Sequence, residues 1–172
     1  LVMFATQRDA ESSGIFESNV IDGYGAQDLY GEETNPPGGF DAALEEVLHL
    51  ISSYGYEEAH PDLSSTPTSP MTEAMDIARG GHFTSIPASY PSEAWYHYDD
   101  ATCDYRCMAV EYFYWALTTL LGAQADRCDD IAIEWETCTP EQFQSTDVAM
   151  YNLLTNPQYK MPTVLPDGVY QG

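Results

Sequence analysis

Basic residues are almost absent. The 172-residue chain sets 28 aspartates and glutamates against 5 lysines and arginines, for a formal net charge of −23 at pH 7, and Lys160 is its one lysine. A surface this negative repels phosphate backbones and anionic lipid, which excludes nucleic acid and acidic membranes as partners. It attracts cations instead. A lysine-poor, aspartate-rich surface also suits a salty medium, where dissolved ions screen the self-repulsion. We therefore expect a secreted, extracellular protein of a saline setting; the plainer use of the charge is solubility.

Other absences narrow the field further. No run of roughly 18 apolar residues occurs, so no membrane-spanning helix is expected. Leu1-Val2-Met3-Phe4-Ala5 is too short for the apolar part of a signal peptide. The chain lacks a starting Met, and a processed or truncated N-terminus is expected. G-x-S-x-G, P-loop and G-x-G-x-x-G patterns are missing, which removes the common serine-hydrolase and nucleotide-binding signals. No C-x-x-C pair exists, so a zinc site made of four cysteines is excluded.

The residues that are present can build a core. Apolar residues make up 44% of the chain and aromatics 13%, including 13 tyrosines, more than a disordered chain carries. The expectation is one mainly α domain with minor β spanning residues 1–172, with a loop-rich segment 1–39, a helical core 40–155 and an extended tail 156–172. Gly14, Gly23, Gly25, Gly31, Pro36, Pro37, Gly38 and Gly39 punctuate the first segment, with short extended pieces near 14–21. Four cysteines, Cys103, Cys107, Cys128 and Cys138, form an even set suited to two disulfides. Three pairings are open. Cys103 and Cys107, four apart on one helical face, can each reach forward to one of Cys128 and Cys138, clamping that helix to the segment after it. No cysteine is then left as a nucleophile.

Two core helices are expected. The first runs from about Asp41, a good N-cap, to Tyr54, with Gly55 as its stop and an apolar stripe of Leu44, Val47, Leu48 and Ile51. The second and longest runs from about Ala101 to Leu121 and ends at Gly122. Met108, Val110, Phe113, Trp115, Ala116, Leu117, Leu120 and Leu121 cover most of its circumference, which marks it as central and buried. Ser69-Pro70 starts a helix that Gly80-Gly81 stops. A shorter helical piece lies near 126–135. Thr139 and Gln142 have capping-box spacing and open a helix reaching about Leu154.

One cluster can carry chemistry. Glu45 and His49 stand four apart on the first helix, so they project side by side and can share a metal ion. Glu46, between them, is placed to act as general base toward a water that the metal activates. Glu111 lies in the middle of the apolar second helix. A carboxylate buried there needs a metal, a partner or a proton, because an uncompensated buried charge costs several kcal/mol.

Glu45-Glu46-Val47-Leu48-His49 resembles the H-E-x-x-H motif of zincin metallopeptidases with the first His replaced by Glu. Glu111-Tyr112-Phe113-Tyr114-Trp115-Ala116 is similar to the E-[FY]-x-x-A-like stretch of the glutamate-ligand zincins, its alanine one position late. The helix order and the roughly 60-residue separation also resemble that subgroup, and anthrax-lethal-factor-like domains in particular. The resemblance covers about Phe40 to Ala123. It implies Glu45, His49 and Glu111 as ligands of zinc or another divalent metal, Glu46 as catalytic base, and a tyrosine supporting the oxyanion, with Tyr105 preferred over Tyr98 and Tyr114. It implies a peptide or protein substrate. The changed first ligand makes the donor set harder than the usual two His and one Glu, which favours manganese, iron or calcium more than usual, or marks a degenerate site.

The same residues have plainer readings: Glu45 and Glu46 as a solvated face, and His49 hydrogen-bonded to Glu45 or Glu111. His60, His82 and His97 are secondary ligand candidates, each more readily structural. Asp99-Asp100 and Asp129-Asp130 do not fit an EF-hand loop. Three functions are compatible with these residues: a zincin-like peptidase; a non-catalytic secreted structural or assembly protein on the same fold, able to self-associate through its aromatic loops; and a cation-dependent binding module.

Overall fold

A computed structural model of the protein describes residues 2–4, 8, 12, 20, 21, 24, 25, 27–34, 37 and 41–166. The expected extended piece at 14–19 and the end of the tail, 167–172, lie outside them. Among the described residues the chain is mainly helical with little strand and carries two disulfides. It divides into two compact units, Leu1–Ala59 and His60–Gly172.

The first unit holds the strands. β1 (Val2–Phe4) pairs in parallel with β4 (Asp28–Tyr30), and β2 (Val20–Ile21) pairs antiparallel with β3 (Tyr24–Gly25). After β4 the chain turns, closed by Glu33: its Oε1 accepts from the Tyr30 amide at 2.7 Å and its carbonyl from the Ala42 amide at 3.1 Å. Helix α1 (Ala43–Ile51) comes next and contacts β4. The N-cap is Ala42, without a side-chain cap, rather than the expected Asp41, whose Oδ1 accepts from the Ala43 amide at 2.9 Å just ahead of the helix.

Gly55 does not end this helix. A π-helical turn over Ser52–Tyr56 contains it, and the chain runs on through α2 (Glu57–Ala59). Gly55 keeps a right-handed backbone and has open space around it, so its helix cost of about 1 kcal/mol is tolerated. The apolar stripe also differs from expectation: Val47 and Ile51 are exposed, whereas His49 and Ser52 are buried. Hydrophobic spacing predicts the helix correctly but not the side it buries.

The second unit begins with a 3-10 turn at Pro61–Leu63 and helix α3 (Pro70–Ala78). Ser69 Oγ accepts from the Thr72 amide as N-cap, Pro70 takes the first turn, and Gly80 ends the helix at φ +71°. An added Cβ at Gly80 would lie 2.9 Å from Pro91 Cγ, so glycine serves both the turn and the close approach. The central helix α4 (Tyr105–Leu120) starts later than expected, because Asp104 is its N-cap and accepts from the Cys107 amide. It stops before Gly122, at φ +84°. Twelve of its residues are buried.

Short helices surround it. α5 (Cys128–Ile131) is succeeded by α6 (Pro140–Thr146) and α7 (Val148–Leu154). The Thr139/Gln142 capping box forms as its spacing requires. The expected single helix to Leu154 is instead broken at Asp147. Its side chain turns back to cap α7, with Oδ1 accepting from the Met150 amide at 3.1 Å. α6 and α7 both pack on α4.

The core is aromatic. Tyr96, Tyr112, Trp135 and Phe143 are 0% exposed, and neighbouring rings sit 5.4 to 6.1 Å apart. Their polar atoms are partnered. Trp135 Nε1–H donates to Thr119 Oγ1 and the Thr137 carbonyl, and Tyr96 donates to the Met108 carbonyl at 2.7 Å. Asp147 Oδ2 accepts from Tyr112 at 2.7 Å and from Trp95 Nε1 at 3.1 Å.

The disulfides are local: Cys103–Cys107 and Cys128–Cys138. The expected clamp from α4 forward is therefore corrected. Cys103 and Cys107 flank the first turn of α4 closely enough to bond each other, and Cys128–Cys138 ties α5 to the segment before α6. Both fit an extracellular setting, and no described helix is long and apolar enough to cross a membrane.

Burial raises the Asp147 carboxyl above its ordinary range, and the hydrogen bonds from Tyr112, Trp95 and Met150 offset only part of that. A raised folded value means the native state holds the proton more tightly than the unfolded chain. This contribution disfavours folding at neutral pH, and the penalty is relieved as pH falls through the raised value toward the ordinary Asp value near about 4. The melting temperature is expected to rise between neutral pH and about pH 5. Asp147→Asn should flatten that rise and cost about 1–3 kcal/mol at neutral pH, since an amide oxygen that keeps the Tyr112 and Trp95 donors leaves its NH2 facing the Met150 amide. Calorimetry across pH checks both.

Candidate metal centre

Helix α1 sets out the first part of the site. Glu45 and His49, one turn apart, are half-buried and buried respectively. Glu46, between them, faces back toward the strands. Its Oε2 accepts from Gln27 Nε2 at 2.5 Å and lies 3.7 Å from His49 Nδ1.

Glu111, on helix α4 of the second unit, is buried at 9% exposure. Its surroundings are negative. Burial raises the Glu134 carboxyl, and the charges of Asp99 and Glu111 raise it further. Tyr96 is pushed well up by burial first and then by the charge of Glu111. That potential favours a cation. Glu45 and His49 offer one carboxylate oxygen and one imidazole nitrogen from successive turns of α1, and Glu111 is a buried carboxylate of the second unit. The donor types fit zinc, and equally the harder manganese or iron.

The hydroxyls of Tyr105 and Tyr114 have partners within the second unit. Tyr105 donates to Asp76 Oδ2 at 3.1 Å, with the Thr72 carbonyl 3.5 Å away, inside the α3–α4 contact. Burial raises its hydroxyl. Tyr114 is fully buried and its hydroxyl accepts from Gln124 Nε2 at 3.3 Å. The Tyr98 carbonyl accepts from the Tyr90 hydroxyl.

The remaining histidines have structural partners. His60 stacks edge-on against Tyr159, whose hydroxyl donates to Asp62. His97 Nε2 lies 2.9 Å from the Ala94 carbonyl. His82 Nδ1 lies 2.7 Å from Asp76 Oδ2. Asp100 caps Thr102, whose amide lowers its carboxyl below the usual range. Asp129 and Asp130 are exposed in the first turn of α5.

Two features escape sequence reasoning. Fully buried Arg79 pairs with Asp76 Oδ1 at 2.7 Å and donates to the Phe83 carbonyl, gathering Asp76, His82 and Tyr105 into one network. The Asp76-to-Arg79 spacing of one helical turn is its only sequence signal. Gln27 stands in a glycine-punctuated stretch without periodicity and gives no signal at all.

No protein-family model, curated protein or solved structure matches the chain.

Tyr105→Phe removes one donor from the Asp76 carboxylate, which keeps Arg79 and His82. The expected loss is about 1 kcal/mol in denaturant unfolding at unchanged m-value. Metal content should not change.

Proposed function

We propose that the protein is a secreted, metal-dependent peptidase of the zincin type, in which Glu45, His49 and Glu111 hold one divalent cation and Glu46 is the general base. The observation that carries this reading is Glu45 and His49 one turn apart on α1, with Glu46 interposed on the same helix. When bound, the cation supplies Lewis-acid polarisation of a peptide carbonyl and of the attacking water.

The chain's own residues do the rest. Glu46 takes the proton from the water and returns it to the leaving amine. Its oxygen beside Gln27 and His49 is held, which orients the carboxylate. The negative surroundings of Glu111 draw the cation in and favour basic over acidic peptides.

A second reading is a non-catalytic assembly protein. The observation favouring it is the row Val47, Ile51 and Tyr54, at 37%, 47% and 41% exposure, a face suited to another protein surface.

Elemental analysis by plasma mass spectrometry separates the two. The peptidase reading expects about one transition metal per chain, lost in Glu45→Ala and in Glu111→Ala. Glu46→Gln should keep the metal and slow hydrolysis about 10²–10⁴-fold. Native protein without stoichiometric metal, self-associating regardless of chelator, selects the assembly reading.

A further inference from the structure

Gln27 is not part of any metallopeptidase-like motif in this chain, yet its side chain meets the proposed base. It immediately precedes β4, which contacts α1. Alternation along an extended chain puts Gln27 and Leu29 on one side, and Leu29 is 3% exposed. That side is therefore the inner one. From it, Gln27 Nε2 reaches Glu46 Oε2 at 2.5 Å across 19 residues of sequence. The same oxygen lies 3.7 Å from His49 Nδ1.

We infer that Gln27 is a positioning residue for Glu46: its amide fixes one carboxylate oxygen and so aims the other, Oε1, at the water to be deprotonated. This rests on the peptidase reading. The physical case is that a glutamate on a helix surface has three rotatable bonds, and a base contributes only while held within hydrogen-bond reach of the proton it takes. A neutral amide suits this task. It donates one N–H to a single carboxylate oxygen and leaves the other unoccupied by itself. Gln27 touches neither substrate nor metal; it acts through Glu46.

Two measurements on the full chain test this. The first needs no activity: a double-mutant cycle of Gln27→Met and Glu46→Met, by unfolding of metal-free protein. Met keeps the length of the side chain and loses the donor. Losses that fail to add support the contact, and simple additivity overturns it. The second is steady-state hydrolysis of a peptide library by metal-loaded protein. Gln27→Met should lower kcat about tenfold with KM and metal content unchanged. A purely structural role would move metal content or KM instead. An active wild type whose kcat survives Gln27→Met overturns the role of Gln27 alone. A wild type that binds metal and hydrolyses nothing overturns the peptidase reading, and the catalytic role of Gln27 with it.

Discussion

Helix α4 is apolar nearly all the way round, and much of the second unit is a consequence of burying it. A helix with no solvent face must find an internal partner for every polar group it carries. Tyr112 finds Asp147. Thr118 turns back to the Tyr114 carbonyl at 2.6 Å and accepts from Gln124. Thr119 accepts from Trp135. These needs shape the neighbouring chain. Asp147 must come inward to meet Tyr112 and Trp95, and α6 and α7 are two helices because the chain breaks where it does so. The cost appears as a carboxyl raised by its own burial. Glu111 is the other acid this helix takes inside.

The helices are largely legible in the sequence because their signals are local. Ser69-Pro70, the Thr139/Gln142 box and the stops at Gly80 and Gly122 act through backbone groups within one turn, so a sequence displays them in full. Side-chain burial is not local. Leu44, Val47, Leu48 and Ile51 are spaced as a core stripe, yet Val47 and Ile51 face solvent. Periodicity reports that a helix is amphipathic; the neighbours decide which arc is covered. The cysteines carry the same lesson. Cys103 and Cys107 have the spacing of two separate anchors on one helical face, and a bond between them is as short a path as any across the fold.

The candidate centre is legible for a related reason. Glu45, Glu46 and His49 are set by helical spacing, and Glu111 stands out as an acid among apolar residues. Gln27 is not legible, since its contact with Glu46 joins the residue before a strand to a helix 19 residues away. Nor is Arg79, the buried cation on which Asp76, and through it Tyr105 and His82, converge. Both illustrate a general asymmetry: ligand spacing is written along one element, whereas the groups that aim those ligands arrive from other elements.

In the proposed centre, a carboxylate at position 45, where the zincin motif has an imidazole, would alter the chemistry in a direction charge alone decides. Two carboxylates and a neutral imidazole cancel the charge of a divalent cation, while two imidazoles and one carboxylate leave one positive charge over. A centre with less residual charge acidifies a nearby water less. More of the work of proton removal then falls on the base, and a base does more only if it is well aimed and fully ionised. The carboxylate-rich set also binds hard cations better than the imidazole-rich one, within a chain whose net charge already gathers them. On the proposed peptidase reading, such a centre would trade polarising power for affinity, and the amide of Gln27 on Glu46 would carry a share of catalysis that a stronger Lewis acid would make unnecessary.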